Sequence, residues 1–217
     1  VTSFVNTYNF KIHHNNENLE ILMSKAYYSA FYSYNKRLTD DELERIFLAL
    51  PSKSNRFIVM VNILLRTGIR VSEMLSLKKK DIYCENELFF FNIKGKGLKF
   101  RMVAMPKTSF ELFYMSDIRA MNNNEYIFQT KKNNVVSRYF VYNEVQKFFL
   151  KLGISKENNG PHVLRHTFAS KLYEKHQDII LVQECLGHAS IEMTRKYIHL
   201  NFLNLKIIAD LFDDIGK

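Results

Sequence analysis

Apolar residues recur along most of this chain every three or four positions, the interval that lines one face of an α-helix, and the interval shortens in one central stretch. The reading is mainly α with a small antiparallel β-sheet. Leu19, Leu22, Ala26 and Ala30 predict a helical patch over about 19–32. Thr39-Asp40-Asp41-Glu42 reads as a capping box opening a helix with Leu43, Ile46, Phe47 and Leu50 inward, stopped by Pro51. A further helix is expected over about 54–66 and a break at Thr67-Gly68. Arg70 then opens a short helix carrying Val71, Met74, Leu75 and Leu77. Leu88–Ile93 and Phe100–Met105 read as buried strands, joined by the glycine-hinged Lys94-Gly95-Lys96-Gly97-Leu98-Lys99. Thr108-x-x-Glu111 predicts a helix with Leu112, Met115 and Ile118 inward, and Ser137 one with Phe140, Val141, Val145, Phe148 and Phe149, ended at Gly153.

The last third repeats the helical interval. Leu164, Phe168 and Leu172 bury one face of a helix that begins after Gly160-Pro161, and His162 and Arg165 share the other face, three apart. Unpaired N–H groups at such a helix start favour an anion near His162. Asp178 caps a helix carrying Ile179, Val182 and Leu186, which Gly187 ends; His188 follows on the turn. Ser190 caps a third helix, with Tyr197 near its end and His199 two residues on. Phe202, Leu205, Ile208, Ala209 and Phe212 draw an apolar stripe on a terminal helix over 201–217.

Composition changes this picture in one respect. A chain of 217 residues, 47% hydrophobic with seven Gly and three Pro, suits one or two packed, helix-rich domains. Its net charge of +9 and pI near 9.4 make a polyanion the natural partner. Cys84 and Cys185 have no C-x-x-C spacing and read as reduced thiols. The most apolar run, Phe57–Leu65, is interrupted by Asn62 and is too short to span a bilayer, so no membrane role and a cytoplasmic location are expected. The chain begins with Val1, from which an amino-terminal truncation is expected.

Several residues carry candidate chemistry. Arg70, at the mouth of a turn between two apolar helices, stands on rigid elements, with Glu73 as a supporting partner. Lys78, Lys79, Lys80, Lys94, Lys99, Lys131, Lys132, Arg138 and Lys147 are phosphate-contact candidates, which position a nucleic acid without specifying its sequence. The many Phe and Tyr residues at helical spacing read as core in preference to base-stacking platforms. His162 and His166, four apart, with His176 or His199, are the one conceivable metal set. No acidic or cysteine ligand stands at matching spacing and Arg165 would repel a cation, so no metal is expected; His166 reads as a buried, hydrogen-bonded residue.

Taken together, H-V-L-R-H-T-F-A-S, L-G-H-A-S-I-E-M-T and R-K-Y-I-H, preceded by T-G-I-R-V-S-E-M-L-S-L and K-G-K-G-L-K, resemble the motifs of the tyrosine recombinases, Xer-type members above all. Tyr197 follows His188 by nine residues, as the family's nucleophile follows its Leu-Gly-His turn. The likeness covers about residues 38–200 and implies the family's catalytic domain, with Arg70, Lys96, His162, Arg165, His188 and the nucleophile Tyr197 as catalytic residues. Lys96, between two glycines, matches the hairpin lysine that enters the minor groove and protonates the departing 5′ oxygen; the interval from Arg70 to Lys96 is slightly longer than is familiar. Residues 1–37 would be a linker or the trailing edge of a missing DNA-gripping domain, and 201–217 a helix docking in cis or on a neighbour.

The resemblance further implies strand cleavage and rejoining through a 3′-phosphotyrosyl link, without cofactor, on double-stranded DNA bearing a specific site. The partners it implies are copies of the chain, as a tetramer on synapsed DNA, and a licensing protein such as a DNA translocase. Dimer resolution in chromosome partition and cell division is the expected role. The alternatives are a mobile-element integrase or transposase, a type IB topoisomerase, or a non-catalytic DNA-binding regulator. The residue types suit the chemistry, because a phosphodiester must have its anionic oxygens neutralised before a nucleophile attacks, and an arginine forks two N–H donors onto them. Loss of Arg70 or Arg165 is expected to remove cleavage and leave the fold intact.

Overall fold

The computed structural model describes residues 36–95, 100–157, 159–176 and 178–187. The helical patch near 19–32, the helix expected from Ser190 and the terminal helix over 201–217 lie outside these residues. Helix α1, Asp40–Ala49, opens with the expected capping box: the Glu42 amide donates to Thr39 Oγ1 at 3.2 Å and the Thr39 amide to Glu42 Oε2 at 2.8 Å. Its Leu43 and Ile46 are fully buried. Helix α2, Asn55–Thr67, is the central strut, buried along almost its whole length because its apolar residues run round the cylinder instead of keeping to one stripe. It ends at Gly68 in the left-handed region (φ 62°), and Arg70 is the N-cap of the short α3, Val71–Leu75.

A three-stranded antiparallel sheet follows, in the order β1 (Ile82–Glu85), β2 (Leu88–Lys94), β3 (Phe100–Pro106). The two expected strands are present, and β1 is an addition. Its turn, Asn86-Glu87, has positive φ at both residues (48° and 63°), the geometry of a primed hairpin turn, built without the glycine that announces one in sequence. One sheet face sends Phe89, Phe91, Ile93, Val103 and Met105 into the main core; the other gathers Leu88, Phe90 and Ala104 into a small second cluster. The Tyr83 ring stacks on Phe90 there, centroids 5.0 Å apart.

Two expectations are corrected. Residues 107–118 do not form one regular helix but a 3₁₀ turn (Lys107–Ser109), a helical turn (Glu111–Phe113) and a π-turn (Tyr114–Ile118). Ile118 is buried as expected, but it is joined by Phe110 and Phe113, while Leu112 and Met115 are exposed. Phe140, expected inward on α4 (Arg138–Lys151), is exposed; Val141, Val145, Phe148 and Phe149 do face the core, and Phe148 meets Phe57 edge-to-face at 5.2 Å. Helix α5, Pro161–His176, buries Leu164, Phe168 and Leu172 completely and packs along α2. Helix α6, Ile179–Leu186, is capped by Asp178, whose Oδ1 accepts from the Ile180 and Leu181 amides at 2.8 and 3.1 Å, and ends at Gly187 (φ 63°). Both cysteines are free thiols, and burial pushes Cys185 up to about 12. No helix among the described residues is long and apolar enough to cross a membrane.

Candidate active site

The site grows from the contact of α5 with the end of α2. Phe168 lies so close beneath Gly68 that a Cβ there would stand 2.2 Å from the Phe168 ring. Only the absence of a side chain lets the helices approach this far. One turn before Phe168, Arg165 donates through Nη1 to the Gly68 carbonyl at 2.5 Å and through Nη2 to the Leu186 carbonyl at 2.9 Å. Arg165 is thereby brought beside the turn that leads, two residues on, into Arg70. These two bonds are a second use of Arg165 that its spacing did not announce: it joins the ends of α2 and α6. Its replacement therefore removes a structural tie as well as a charge, contrary to the expectation that the fold would be indifferent.

Glu73, one turn into α3, organises the cationic groups. Its Oε2 accepts from the Arg70 amide at 2.8 Å and its Oε1 from Arg70 Nη1 at 3.0 Å. From the opposite side Arg101, on β3, forks onto both oxygens, Nη1 to Oε1 at 3.1 Å and Nη2 to Oε2 at 2.8 Å. Arg101 Nε also donates to the Cys185 carbonyl at 3.1 Å. Consecutive carbonyls at the end of α6 are thus met by two arginines, where the helix dipole favours positive charge. Burial on its own would raise the Glu73 carboxyl; the fork from Arg101, the Arg70 amide and both guanidinium charges outweigh it and hold the pKa below the ordinary 4.5. Burial pulls Arg165 down to about 10, the charges of Arg70 and Arg101 act the same way, and Glu73 opposes them.

Two guanidinium groups bond one carboxylate and a third, Arg165, is near enough to feel their charges, so the cluster keeps a surplus of positive charge suited to an anion. Arg70 is the outward member, with 41% of its side chain exposed, whereas Glu73 is at 7% and Arg101 at 12%. His162 is exposed on α5 one turn before Arg165. His166, expected to be buried, is also exposed: it lies on the polar face shared with His162, and its pKa is lowered by partial burial, then by the charges of His162, Lys36 and Arg165. Lys96, His188 and Tyr197 lie outside the described residues, as does Lys99. The chain enters the connection holding Lys96 from Lys94, whose partner on β3 is Phe100, and reaches His188 directly from Gly187.

Among the phosphate-contact candidates, Lys80, Lys94, Lys131, Lys132 and Arg138 are exposed. Lys78 lies over the Tyr126 ring at 4.9 Å. Lys79 turns its ammonium onto the Arg119 and Met121 carbonyls at 2.7 and 2.6 Å, which anchors the segment after the π-turn. Sequence reasoning missed Arg101. The available signal was a charged residue inside a run read as a buried strand, which requires a buried counter-charge.

A mainly helical chain with a small three-stranded antiparallel sheet has the fold of the tyrosine recombinase catalytic domain. The chain belongs to the phage integrase family, whose model matches residues 36–204. It is 35% identical over 185 residues to the tyrosine recombinase XerH of Campylobacter jejuni, covering 82% of this chain and 52% of that protein. It is 34% identical over 178 residues to the tyrosine recombinase XerA of Pyrococcus horikoshii, covering 80% of this chain and 60% of that protein. Among solved structures it resembles the XerH site-specific recombinase bound to difH substrate in a pre-cleavage complex, with a TM-score of 0.66 and 32% identity, over 82% of this chain and 54% of that one. The chain thus spans between half and two thirds of the length of these relatives.

Proposed function

We propose that this chain carries the active site of a Xer-type site-specific DNA recombinase. The observation that carries the reading is the arginine cluster: Arg70 and Arg165, held by Glu73 and by backbone carbonyls, present fixed positive charge that the Glu73 carboxylate offsets only in part. Arg70 and Arg165 neutralise the non-bridging oxygens of the scissile phosphate, and His188 adds a donor. The Tyr197 phenol oxygen attacks phosphorus in line, its proton passing to His162. The bond from phosphorus to the 5′ oxygen breaks as Lys96 donates a proton to that oxygen, leaving a 3′-phosphotyrosyl link and a 5′ hydroxyl. A 5′ hydroxyl from another strand reverses the step and rejoins the DNA, with no energy input beyond the retained ester.

The proposal extends to the setting. The substrate is a duplex with a specific core site, and because the XerH relative is solved on difH, a difH-type core is the first to use. Lys78, Lys80, Lys94, Lys99, Lys131, Lys132 and Arg138 contact its backbone. Four copies act on synapsed DNA in the cytoplasm, resolving dimers for chromosome partition and cell division, with a DNA translocase as licensing partner.

The test is a nicked duplex carrying that core, incubated with the protein. A covalent protein–DNA adduct is expected, absent in Tyr197→Phe. An adduct that survives this substitution removes Tyr197 from its role. Binding without any adduct favours a non-catalytic DNA-binding protein. Religation of the original strands with no exchange between duplexes favours a topoisomerase.

A further inference from the structure

We infer that Arg101 is a positioning residue of this site: through Glu73 it sets the Arg70 guanidinium, and through the Cys185 carbonyl it ties the end of α6 to the same carboxylate. The inference rests on the reading that Arg70 meets the scissile phosphate. Each Glu73 oxygen serves both arginines, Oε1 taking Nη1 of Arg70 and of Arg101, Oε2 taking the Arg70 amide and Arg101 Nη2. A fork onto both oxygens fixes the plane of a carboxylate, which a single bond leaves free to turn. Arg70 holds the same two oxygens through its amide and Nη1, so Arg101 braces the carboxylate from the opposite side and keeps the more exposed Arg70 side chain against it.

Arg101 is itself fixed from three sides. Its backbone is paired with Ile93 in the sheet, its guanidinium lies against Gly187, and its Nε meets Cys185, three residues before His188 in the chain. A Cβ at Gly187 would stand 2.9 Å from Arg101 Nη1, so the guanidinium fills the space that glycine leaves. β3 is also the strand that receives the chain from the connection holding Lys96. One side chain thus registers the sheet, the start of α3 and the end of α6 against one another, and from these elements the chain runs to Lys96, Arg70 and His188.

The test uses the full chain and two readouts. The first is the NMR spectrum of the arginine guanidinium N–H groups, with the Arg70 signal assigned by its loss in Arg70→Lys. A resolved, slowly rotating Arg70 group that collapses in Arg101→Ala supports the proposal, and an Arg70 signal unchanged in Arg101→Ala overturns it. This readout needs no DNA, so it stands apart from the recombinase reading. The second is cleavage of the nicked difH-type duplex, with either a phosphodiester or a neutral methylphosphonate at the scissile position. A neutral centre needs no arginine to cancel its charge. Arg101→Ala is expected to cleave the phosphodiester about 100-fold more slowly, the scale of a misplaced catalytic group, and to recover on the methylphosphonate. Equal loss on both substrates marks structural support alone and overturns the proposal. Should Arg101→Ala not fold, Arg101→Lys keeps the charge and loses the fork; an intermediate rate supports the proposal and a wild-type rate overturns it. A wild-type protein that forms no adduct sinks the recombinase reading, while the Arg70 signal still decides the positioning role.

Discussion

Glu73 is the residue on which Arg70 and Arg101 converge. Its folded pKa is depressed, so the stability it contributes is present above its ordinary value of 4.5 and is lost as pH falls through the folded value below that. Glu73→Gln is expected to lower stability at neutral pH by about 3 kcal/mol, because the charge of the largely enclosed Arg101 loses its partner and faces Arg165 uncompensated. The gap between wild type and variant should close as pH falls well below 4.5. Urea denaturation at neutral and at acid pH measures both quantities, and a gap independent of pH would remove Glu73 from this role. Arg70 and Arg165 were legible in the sequence, since a spaced motif names residue types directly. Arg101 was not: nothing in Phe100-Arg101-Met102 says which carboxylate a strand arginine meets, and Glu73 precedes it by 28 positions.

The element that places the arginines is the junction of α2, Gly68 and α5. Gly68 is left-handed, sits against Phe168, and offers its carbonyl to Arg165, so one residue ends a helix, admits a neighbour and holds a catalytic candidate. Gly68→Ala is expected to cost at least about 1–2 kcal/mol from its backbone alone, with the clash against Phe168 in addition. A thermal melt should show the loss, and adduct formation should fall further than the fraction unfolded because Arg165 follows the displaced carbonyl. A melt unchanged from wild type would refute the argument. The break at Thr67-Gly68 was readable from composition, and so were the capping box at Thr39 and the caps at Ser137 and Asp178, since each acts within one turn. Strand β1 and the π-turn were not. The Asn86-Glu87 turn adopts positive φ because the sheet pairs Glu85 with Leu88 and encloses it, and no local signal marks the π-turn at Tyr114–Ile118.

For the whole molecule, the net charge of +9 predicts that DNA binding weakens steeply with salt. Replacing Lys131, Lys132 or Arg138 by Gln should each reduce the slope of log affinity against log salt by about one if that residue meets a phosphate. Lys79→Gln should leave the slope unchanged and lower the melting temperature instead, because its ammonium already serves the Arg119 and Met121 carbonyls. Titrating each variant at several salt concentrations separates the two kinds of lysine, and a Lys79→Gln slope that falls like the others would place it on the DNA. By itself the sequence determined the helical and strand periods, most of the caps and the positive charge, because these depend on spacing within a few residues or on composition; it offered candidates for the site through the resemblance of its motifs. Tertiary structure alone decided that Arg101 shares Glu73 with Arg70, that Arg165 binds the Gly68 and Leu186 carbonyls, and that Lys79 binds the Arg119 and Met121 carbonyls. Those contacts join segments distant in the chain, and which of many equivalent charges meet is fixed only when packing brings the segments together.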